Sequence, residues 1–435
     1  MAPPARYESR PLASSPPAEL AVRPSYDDTT SSHPAHGMTL PRLLSGYRAA
    51  EQGRPAAQFD AFEDYRERDG HLWSCDEGRR LAVVGKTWIL KPGDDRPGSA
   101  RAAADLDRML RRPAAPGSPS FRSVLKHLMG AVGDGVAAAN FAWGRVEAGD
   151  PWAPVRWQNV ATRRLCALDA DRIATIGLLN GDTWAPEPLE PGAWAVAAQT
   201  HRNPWASGRM RTCAMWALFK SWSLRDWLTF AEMFGMPTAI GFYEPNASLE
   251  TRRALEAVVR NIGSDGYAVL EDTTDVVIKD SVRSGDASSV YPSIWDKCEA
   301  QMSKAYAGGT LTMDTGTTGS YAQATTHENR SFVLTMSDAM DLEDVINRDV
   351  CAPFVAWNGY GGAAAPVFRF QILRELSLKT RAEILQLLAA MFGKNLAFDE
   401  DQIREEFQLR KPTGNGLTAP EPPPPSSGPN PGKTP

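Results

Sequence analysis

The sequence predicts an α+β protein in which two long helices flank a small α/β insertion. Three observations predict this class. Apolar residues recur at helical spacing over residues 212–235 and 289–307, and a β-α-β-β order fills the segment between them. Short strand-like runs also alternate with turn residues between about 140 and 200. The 435 residues are enough for two or three compact units with a sizeable core.

The first part of the chain, residues 39–211, is predicted to form a mixed α+β unit behind an N-terminal arm. Residues 1–38 are rich in Pro, Ser, Ala and Thr, a composition typical of disorder. Helices are expected over 40–68, with a break near Gly53. Ser120 suits the N-cap of an amphipathic helix that precedes the antiparallel strands.

The helix predicted over 212–235 is the most informative segment because its rings cannot all face one core. They are Trp216, Phe219, Trp222, Trp227, Phe230 and Phe234. A helix that is apolar nearly all round is buried on several sides. In a soluble protein, packing several copies together supplies those neighbours. Gly235 suits the position just past the helix end, and Pro237 stops its continuation.

The second half of the chain predicts an insertion, two further long helices and a loop. The insertion spans 236–288, with strands at 238–243, 267–270 and 275–278 and a helix capped by Ser248.

The second long helix, 289–307, leads into a Gly/Thr-rich loop over 308–326 whose single charge is Asp314. A third long helix is predicted over 327–350, ended by Pro353. Further helices are expected up to residue 410, and the Pro-rich tail over 411–435 is predicted to be disordered.

Composition excludes several classes of protein. The net charge of −5 argues against tight binding of nucleic acid, which calls for a basic stripe. No run of eighteen apolar residues predicts a membrane span, and the N-terminus lacks the apolar core of a signal peptide. The five scattered cysteines, without a C-x-x-C pair, indicate reduced thiols in the core of a protein made in a cytoplasm.

No residue cluster predicts an active site, a metal site or a cofactor. Asp94-Asp95 and Asp169/Asp171 are acidic pairs in loop-like sequence. They leave a metal-dependent nuclease open as an alternative, although solvated turns are the more common use of such pairs. A monomeric scaffold or adaptor protein is a further alternative. The Gly/Thr-rich loop lacks Lys and Arg, so it is suited to touch DNA without holding its phosphates.

Several separated motifs, in this order, resemble the Mu-like bacteriophage portal protein family. They include FKSWSLRDWLTFAEMFGMPTAIGFYE, GGTLTMDTGTTGSYA and NRDVCAPFVAWNGY, and the resemblance covers roughly residues 39–412. The family's loop often begins with a Leu-Gly-Gln-Thr-type sequence, which Ala307-Gly308-Gly309-Thr310 replaces here. We expect no large helical crown beyond residue 412.

The resemblance implies a portal-type fold and a non-enzymatic ring, typically of twelve copies, at one capsid vertex of a virion. Residues 212–235 and 289–307 would be stem helices and 236–288 the clip. Residues 308–326 would be the tunnel loop, and 39–211 with 327–410 the wing. The ring would form the channel for packaging and ejection of double-stranded DNA, driven by a separate ATPase. The particle would assemble in the cytoplasm of a bacterial host.

The resemblance also implies roles for individual residues. Those of the tunnel loop facing DNA would be Gly308, Gly309, Thr310, Leu311, Thr312, Met313, Asp314, Thr315 and Ser320. Those of the stem at the subunit interface would be Trp216, Phe219, Lys220, Trp222, Arg225, Trp227, Phe230 and Trp295. Those of the clip at the docking surface would be Phe242, Tyr243, Glu244 and Tyr267. Expected partners are the terminase large subunit, head–tail connector proteins, capsid and scaffold proteins, and DNA bound without sequence specificity; no membrane is expected.

Overall fold

The computed structural model divides the chain into two units, residues 1–372 and 373–435. The residues described are 15–20, 37–169, 173–181, 183–200, 202–235, 239–262, 267–271, 287–309, 321–372, 383 and 386–387. The predicted strand 275–278, the last predicted helices apart from three residues, the tail and most of the predicted arm lie outside them. The helices and strands named here all belong to the first unit.

Six helices begin the described domain, and local capping explains several of their boundaries. They are α1 (Leu40–Glu51), α2 (Ala56–Arg68), α3 (Gly70–Val84), α4 (Pro97–Leu110), α5 (Phe121–Leu128) and α6 (Ala131–Asp134). The break between α1 and α2 was predicted and contains Gly53, whose φ of +86° favours glycine. The carboxylate of Asp69 accepts hydrogen bonds from the backbone of His71 and Leu72, so Asp69 caps α3. Ser120 caps α5 as predicted, accepting from the Ser123 backbone at 3.2 Å.

Short antiparallel strands follow, apart from one that lies between α3 and α4, and they confirm the β region predicted between about 140 and 200. They are β1 (Trp88–Lys91), β2 (Val136–Gly144), β3 (Ala153–Val160), β4 (Leu165–Ala167), β5 (Ile176–Leu179), β6 (Pro186–Pro188) and β7 (Trp194–Ala198). Strand β2 lies between β3 and β7, and β4–β5–β6 form a second sheet. An irregularity between Ala142 and Trp143 interrupts the β2–β3 register. There the Trp143 backbone N–H donates to the carbonyl of Pro17, at 2.7 Å, so part of the predicted N-terminal arm contacts the sheet.

The long helices and the insertion complete the order of elements. They are α7 (Met210–Gly235), β8 (Ala239–Tyr243), α8 (Leu249–Ile262), β9 (Tyr267–Glu271), α9 (Ala287–Ala307) and α10 (Tyr321–Ile346). A π-helical turn (Asn347–Cys351), α11 (Ala352–Asn358) and β10 (Val367–Phe370) follow.

The prediction that Pro353 ends the third long helix is wrong. The chain continues through the π-helical turn into α11, and Pro353 lies in the first turn of α11. A missing N–H costs little at that position. The helix ends instead at Gly359, with φ of +62°. Strand β10 was also not predicted, and it pairs antiparallel with β1.

Buried residues form two apolar clusters. The first joins α1–α3 to the first part of α7 and to Tyr306 of α9. The second joins α4, α5, the β2 sheet, α10 and β10. The carboxylate of Asp349, in the π-helical turn, accepts from the Val196 backbone of β7 at 2.9 Å, which ties this turn to the sheet. No helix among the described residues is long and apolar enough to cross a membrane.

Candidate functional site

The outer parts of α7 and α9 form an antiparallel hairpin, which is the first feature expected of a stem. The rings of Trp227 and Tyr291 stack within it, 4° from parallel with centroids 6.5 Å apart. Closer to the domain, the ammonium of Lys220 on α7 lies 4.2 Å from the ring centre of Trp295 on α9. These two contacts set the register of the hairpin.

A buried ion-pair cluster closes the base of the hairpin. The Lys220 ammonium lies 3.0 Å from a carboxylate oxygen of Asp69 and 2.8 Å from one of Glu299. His71 lies beside the same cluster, with its Nδ1 atom 3.7 Å from a carboxylate oxygen of Glu299 and its Nε2 atom 2.7 Å from the Ser303 hydroxyl. Because Asp69 also caps α3, Lys220 connects α7, α9 and α3 at the point where the hairpin leaves the domain.

The position of Lys220 contradicts its predicted place at the subunit interface. Its side chain is 6% exposed and is paired inside the protomer, so it has no surface to offer a neighbour. Trp295 covers its ammonium. This pairing was not predictable from the sequence, because Asp69 and Glu299 are 151 and 79 positions away from Lys220.

The predicted stem aromatics mostly face their own protomer. Trp216 and Trp222 pack against the first core, and the Phe219 ring lies 6.0 Å from Trp216 and 5.9 Å from Trp222. Trp227 is half-buried against Tyr291. Arg225 is exposed and contacts Asp226, at 2.9 Å. An interface role for these residues stays a prediction, and the side chain of Phe230 lies outside the described part.

Aliphatic side chains, which sequence analysis did not single out, occupy the exposed flanks of the hairpin. They are Leu224, Leu228, Val290 and Ile294, exposed by 36%, 58%, 49% and 40%. Their angular position on each helix, measured from the side that carries the Lys220 and Trp227 contacts, identifies them as flank residues. That inward side is known only from the structure.

The loop between α9 and α10 is shorter than predicted. Helix α10 begins at Tyr321, so residues 321–326 are helical and the prediction of a loop over 308–326 is wrong at that end. Ala322, Gln323 and Ala324 are good helix formers, which two following threonines had obscured. The predicted DNA-facing residues from Thr310 to Ser320 lie outside the described residues.

The start of that loop is held against α10 and does not project. Gly308 has φ of +71°, and a Cβ placed on it would lie 3.0 Å from a methyl carbon of Leu334. Gly309 is buried, which contradicts its predicted exposure to DNA. The guanidinium of Arg79 donates to both carboxylate oxygens of Asp338, at 2.7 and 2.9 Å, and to the carbonyl of Tyr306. Arg79 therefore joins the end of α9 to α10 beneath the loop.

The insertion is a compact unit in which β8 and β9 pair in parallel and α8 connects them. Ser248 caps α8 as predicted, accepting from the Thr251 backbone at 3.2 Å. Of the predicted docking residues, Phe242 is 53% exposed and Glu244 is exposed. Tyr243 lies under the guanidinium of Arg252, 4.4 Å from its ring centre. The Tyr267 backbone is in β9, and its side chain lies outside the described part.

Among the described residues, no cluster of side chains suits a metal site or a reactive nucleophile. They contain no group of three or more His, Cys, Asp or Glu able to hold a metal ion. The Asp94 carboxylate accepts from the backbone of Arg96 and Ala364, both at 3.1 Å, so it stabilises a turn. All five cysteines are buried and unpaired. Burial raises the pKa of the Cys75 thiol to about 11. Desolvation likewise raises the pKa of Cys213 to about 12, so neither is a ready nucleophile.

Comparison with known proteins covers most of the chain. The Mu portal protein from Escherichia phage Mu is 28% identical over 334 residues, which are 76% of this chain and 63% of that protein. The Mu-like prophage FluMu protein gp29 of Haemophilus influenzae is 25% identical over 384 residues, covering 86% of this chain and 72% of its own. An HK97-family phage portal protein from Corynebacterium diphtheriae aligns over 74% of this chain and 95% of its own, at 10% identity and a TM-score of 0.39.

The family match begins within α2 and runs past residue 372. Residues 59–409 match the sequence family described as the portal protein of Mu bacteriophage, which is well over half of the chain. The match includes α7, α9, α10 and the insertion between the first two. The chain therefore belongs to the Mu bacteriophage portal protein family.

Proposed function

We propose that this chain forms a ring of about twelve copies at one capsid vertex, with a central channel for packaging and ejection of double-stranded DNA. The observation that carries the proposal, beside family membership, is the projecting α7–α9 hairpin with apolar side chains on its exposed flanks. Exposed apolar surface of this kind is typical of an interface. A ring gives every copy a neighbour on each side and leaves no flank uncovered.

The parts of the ring are assigned from the order of elements. The outer α7–α9 hairpin is the stem, and the insertion at its far end is the clip. The loop between α9 and α10 is the tunnel loop, and the remaining described domain is the wing. The segment 310–320 carries one charge, Asp314, and no basic residue, so it offers phosphates no ion pair that would resist sliding.

The insertion is the proposed docking surface for the terminase large subunit and later for head–tail connector proteins. Phe242 and Leu249 are large, apolar and more than half exposed there. Capsid and scaffold proteins would contact the wing. The energy for packaging would come from the separate ATPase.

The mass of the purified full-length chain in solution, with electron microscopy of the same sample, tests the ring. We expect rings with a central hole and a mass near twelve times that of the 47.4 kDa chain. A chain that stays monomeric even when produced together with its capsid proteins contradicts the proposal and favours the monomeric adaptor. Metal-dependent cleavage of DNA by the pure chain would favour the nuclease alternative.

Deletion of Thr312–Ser320 tests the tunnel loop separately. We expect rings of unchanged subunit number, because Arg79, Gly308 and Leu334 hold the described end of the loop independently of these residues. DNA retention in filled particles is expected to fall. A deletion variant that packages and retains DNA at the parent level would remove the assigned role of the loop and leave the ring intact.

A further inference from the structure

The hairpin register places two pairs of exposed aliphatic side chains level with each other. Trp227 lies beside Tyr291. Three residues nearer the domain along α7 is Leu224, and three residues nearer the domain along α9 is Ile294. One residue outward from the same contact, Leu228 is level with Val290. Both antiparallel helices rise by about 1.5 Å per residue, so the match holds along the hairpin.

The two members of each pair lie on opposite flanks of the hairpin. Residues advance by about 100° each, clockwise along α7 and, in the same view, counterclockwise along the antiparallel α9. Relative to the inward-facing Lys220 and Trp227, Leu224 and Leu228 are turned by about 50–90° toward one flank. Ile294 and Val290 are turned by about 80–120° toward the other flank, relative to Trp295 and Tyr291. The hairpin therefore has a leucine flank on α7 and a Val/Ile flank on α9.

We propose that the leucine flank of one copy packs against the Val/Ile flank of the next, with Leu224 against Ile294 and Leu228 against Val290. This inference rests on the proposed ring. Rotation about the ring axis carries one copy onto the next without changing the height of any residue along that axis. When the stems run along the axis, residues at the same height in one stem and in its neighbour therefore face each other. The partner is a second copy of the chain, and the contact is head-to-tail because it joins two different surfaces.

The chemistry of the two flanks fits this pairing. Each offers two aliphatic side chains one helical turn apart, which suits interdigitation of facing helices at about 8–10 Å between axes. The rings of Trp227 and Tyr291 stack inside the protomer, and Lys220 and Glu299 pair there. The four side chains of the proposed contact are all aliphatic, so their own burial strands neither a charge nor a polar group, which would be costly at an interface.

Cysteine cross-linking in the full-length chain tests the register. The double variant Leu224→Cys/Ile294→Cys places one thiol on each flank, where the two are too far apart to react within a protomer. The second matched pair is Leu228→Cys/Val290→Cys. The controls are the four single variants and the mismatched pair Leu224→Cys/Val290→Cys. The mismatch adds an offset of about 6 Å along the helices, and with a Cα separation of about 5.5 Å across the interface the total is about 8 Å, more than the roughly 7 Å that a disulfide tolerates.

The native cysteines give a low background in this experiment. All five are buried. Burial raises the pKa of Cys166 and of Cys351 to about 12 and raises that of Cys298, the native cysteine on α9. Mild oxidation at neutral pH therefore favours the introduced, exposed thiols.

After oxidation, both matched pairs are expected to give a ladder of covalent oligomers on a denaturing gel. We expect at least about fivefold more cross-linked chain than in the single variants or the mismatched pair. Rings that form normally but give no ladder with either matched pair overturn the register, and so does stronger cross-linking of the mismatched pair. Absence of rings in the parent chain overturns the proposed function itself, and the mass measurement separates that result from a wrong register.

Discussion

Replacement of Lys220 by methionine is expected to destabilise the protomer. Methionine keeps most of the side-chain volume and removes the charge. It leaves Asp69 and Glu299, whose carboxylate oxygens lie 3.0 and 2.8 Å from the Lys220 ammonium, without their shared cation. Breaking a buried ion pair costs about 3–5 kcal/mol, and lost contact with the Trp295 ring about 1 kcal/mol more. Because Glu299 keeps 24% of its side chain exposed, water offsets part of the loss, and we expect about 3 kcal/mol.

Urea unfolding followed by tryptophan fluorescence measures this loss. Protomer concentration must be fixed, because ring formation makes apparent stability concentration-dependent. Lys297→Met, an exposed charge on the same helix pair, is the matched control and should change stability by less than about 0.5 kcal/mol. Adding Glu299→Gln to Lys220→Met removes one of the stranded charges and should recover about 1 kcal/mol. Equal stability of Lys220→Met and Lys297→Met would refute the buried cluster and restore Lys220 as an interface candidate.

Two further predictions concern the wing and the base of the loop. Burial holds the pKa of His127 at about 4, below the usual 6.5, so the unfolded state binds its proton more tightly than the folded state. The free energy of unfolding therefore has its full value above pH 6.5 and loses up to about 3 kcal/mol as the pH falls to about 4. This loss is absent in His127→Gln, so the Tm of that variant should change less with pH than the Tm of the parent chain. Gly308→Ala adds a Cβ at φ of +71°, 3.0 Å from a Leu334 carbon, whereas Gly149→Ala has positive φ and open space. Thermal melting should show a larger loss for Gly308→Ala, and equal losses would contradict packing of Gly308 against α10.

Helix ends that are determined by residues close in sequence were predictable. Ser120 and Ser248 cap their helices as expected, because the capping bond needs only a hydroxyl and a backbone N–H three residues later. The end of the third long helix was not predictable in this way. Pro353 stops a helix from inside but is tolerated in a first turn, and the π-helical turn before it is anchored by Asp349 to the distant Val196.

The sequence also predicted that α7 has neighbours on several sides, without indicating which side chain meets which neighbour. The aromatic residues suggested an interface because they are large and apolar. The structure uses Trp216 and Trp222 against the protomer core and Trp227 inside the hairpin. The exposed flanks carry aliphatic residues that look unremarkable in the sequence. Only the register between α7 and α9, which long-range contacts such as Lys220–Glu299 determine, separates the inner side from the flanks.

The flank residues contribute more to the alignment of neighbouring stems than to the affinity between subunits. Leu224, Leu228, Val290 and Ile294 are each about half exposed, so covering one contributes about 1 kcal/mol and covering all four about 4 kcal/mol per interface. Association costs at least that much in lost translational and rotational freedom. Further surface must therefore be covered, and α10 offers Val333, Met336 and Met340, spaced three and four residues apart and all exposed. If both surfaces contribute, polar substitutions on the stem flanks weaken the ring only partly, whereas added polar substitutions on α10 abolish it.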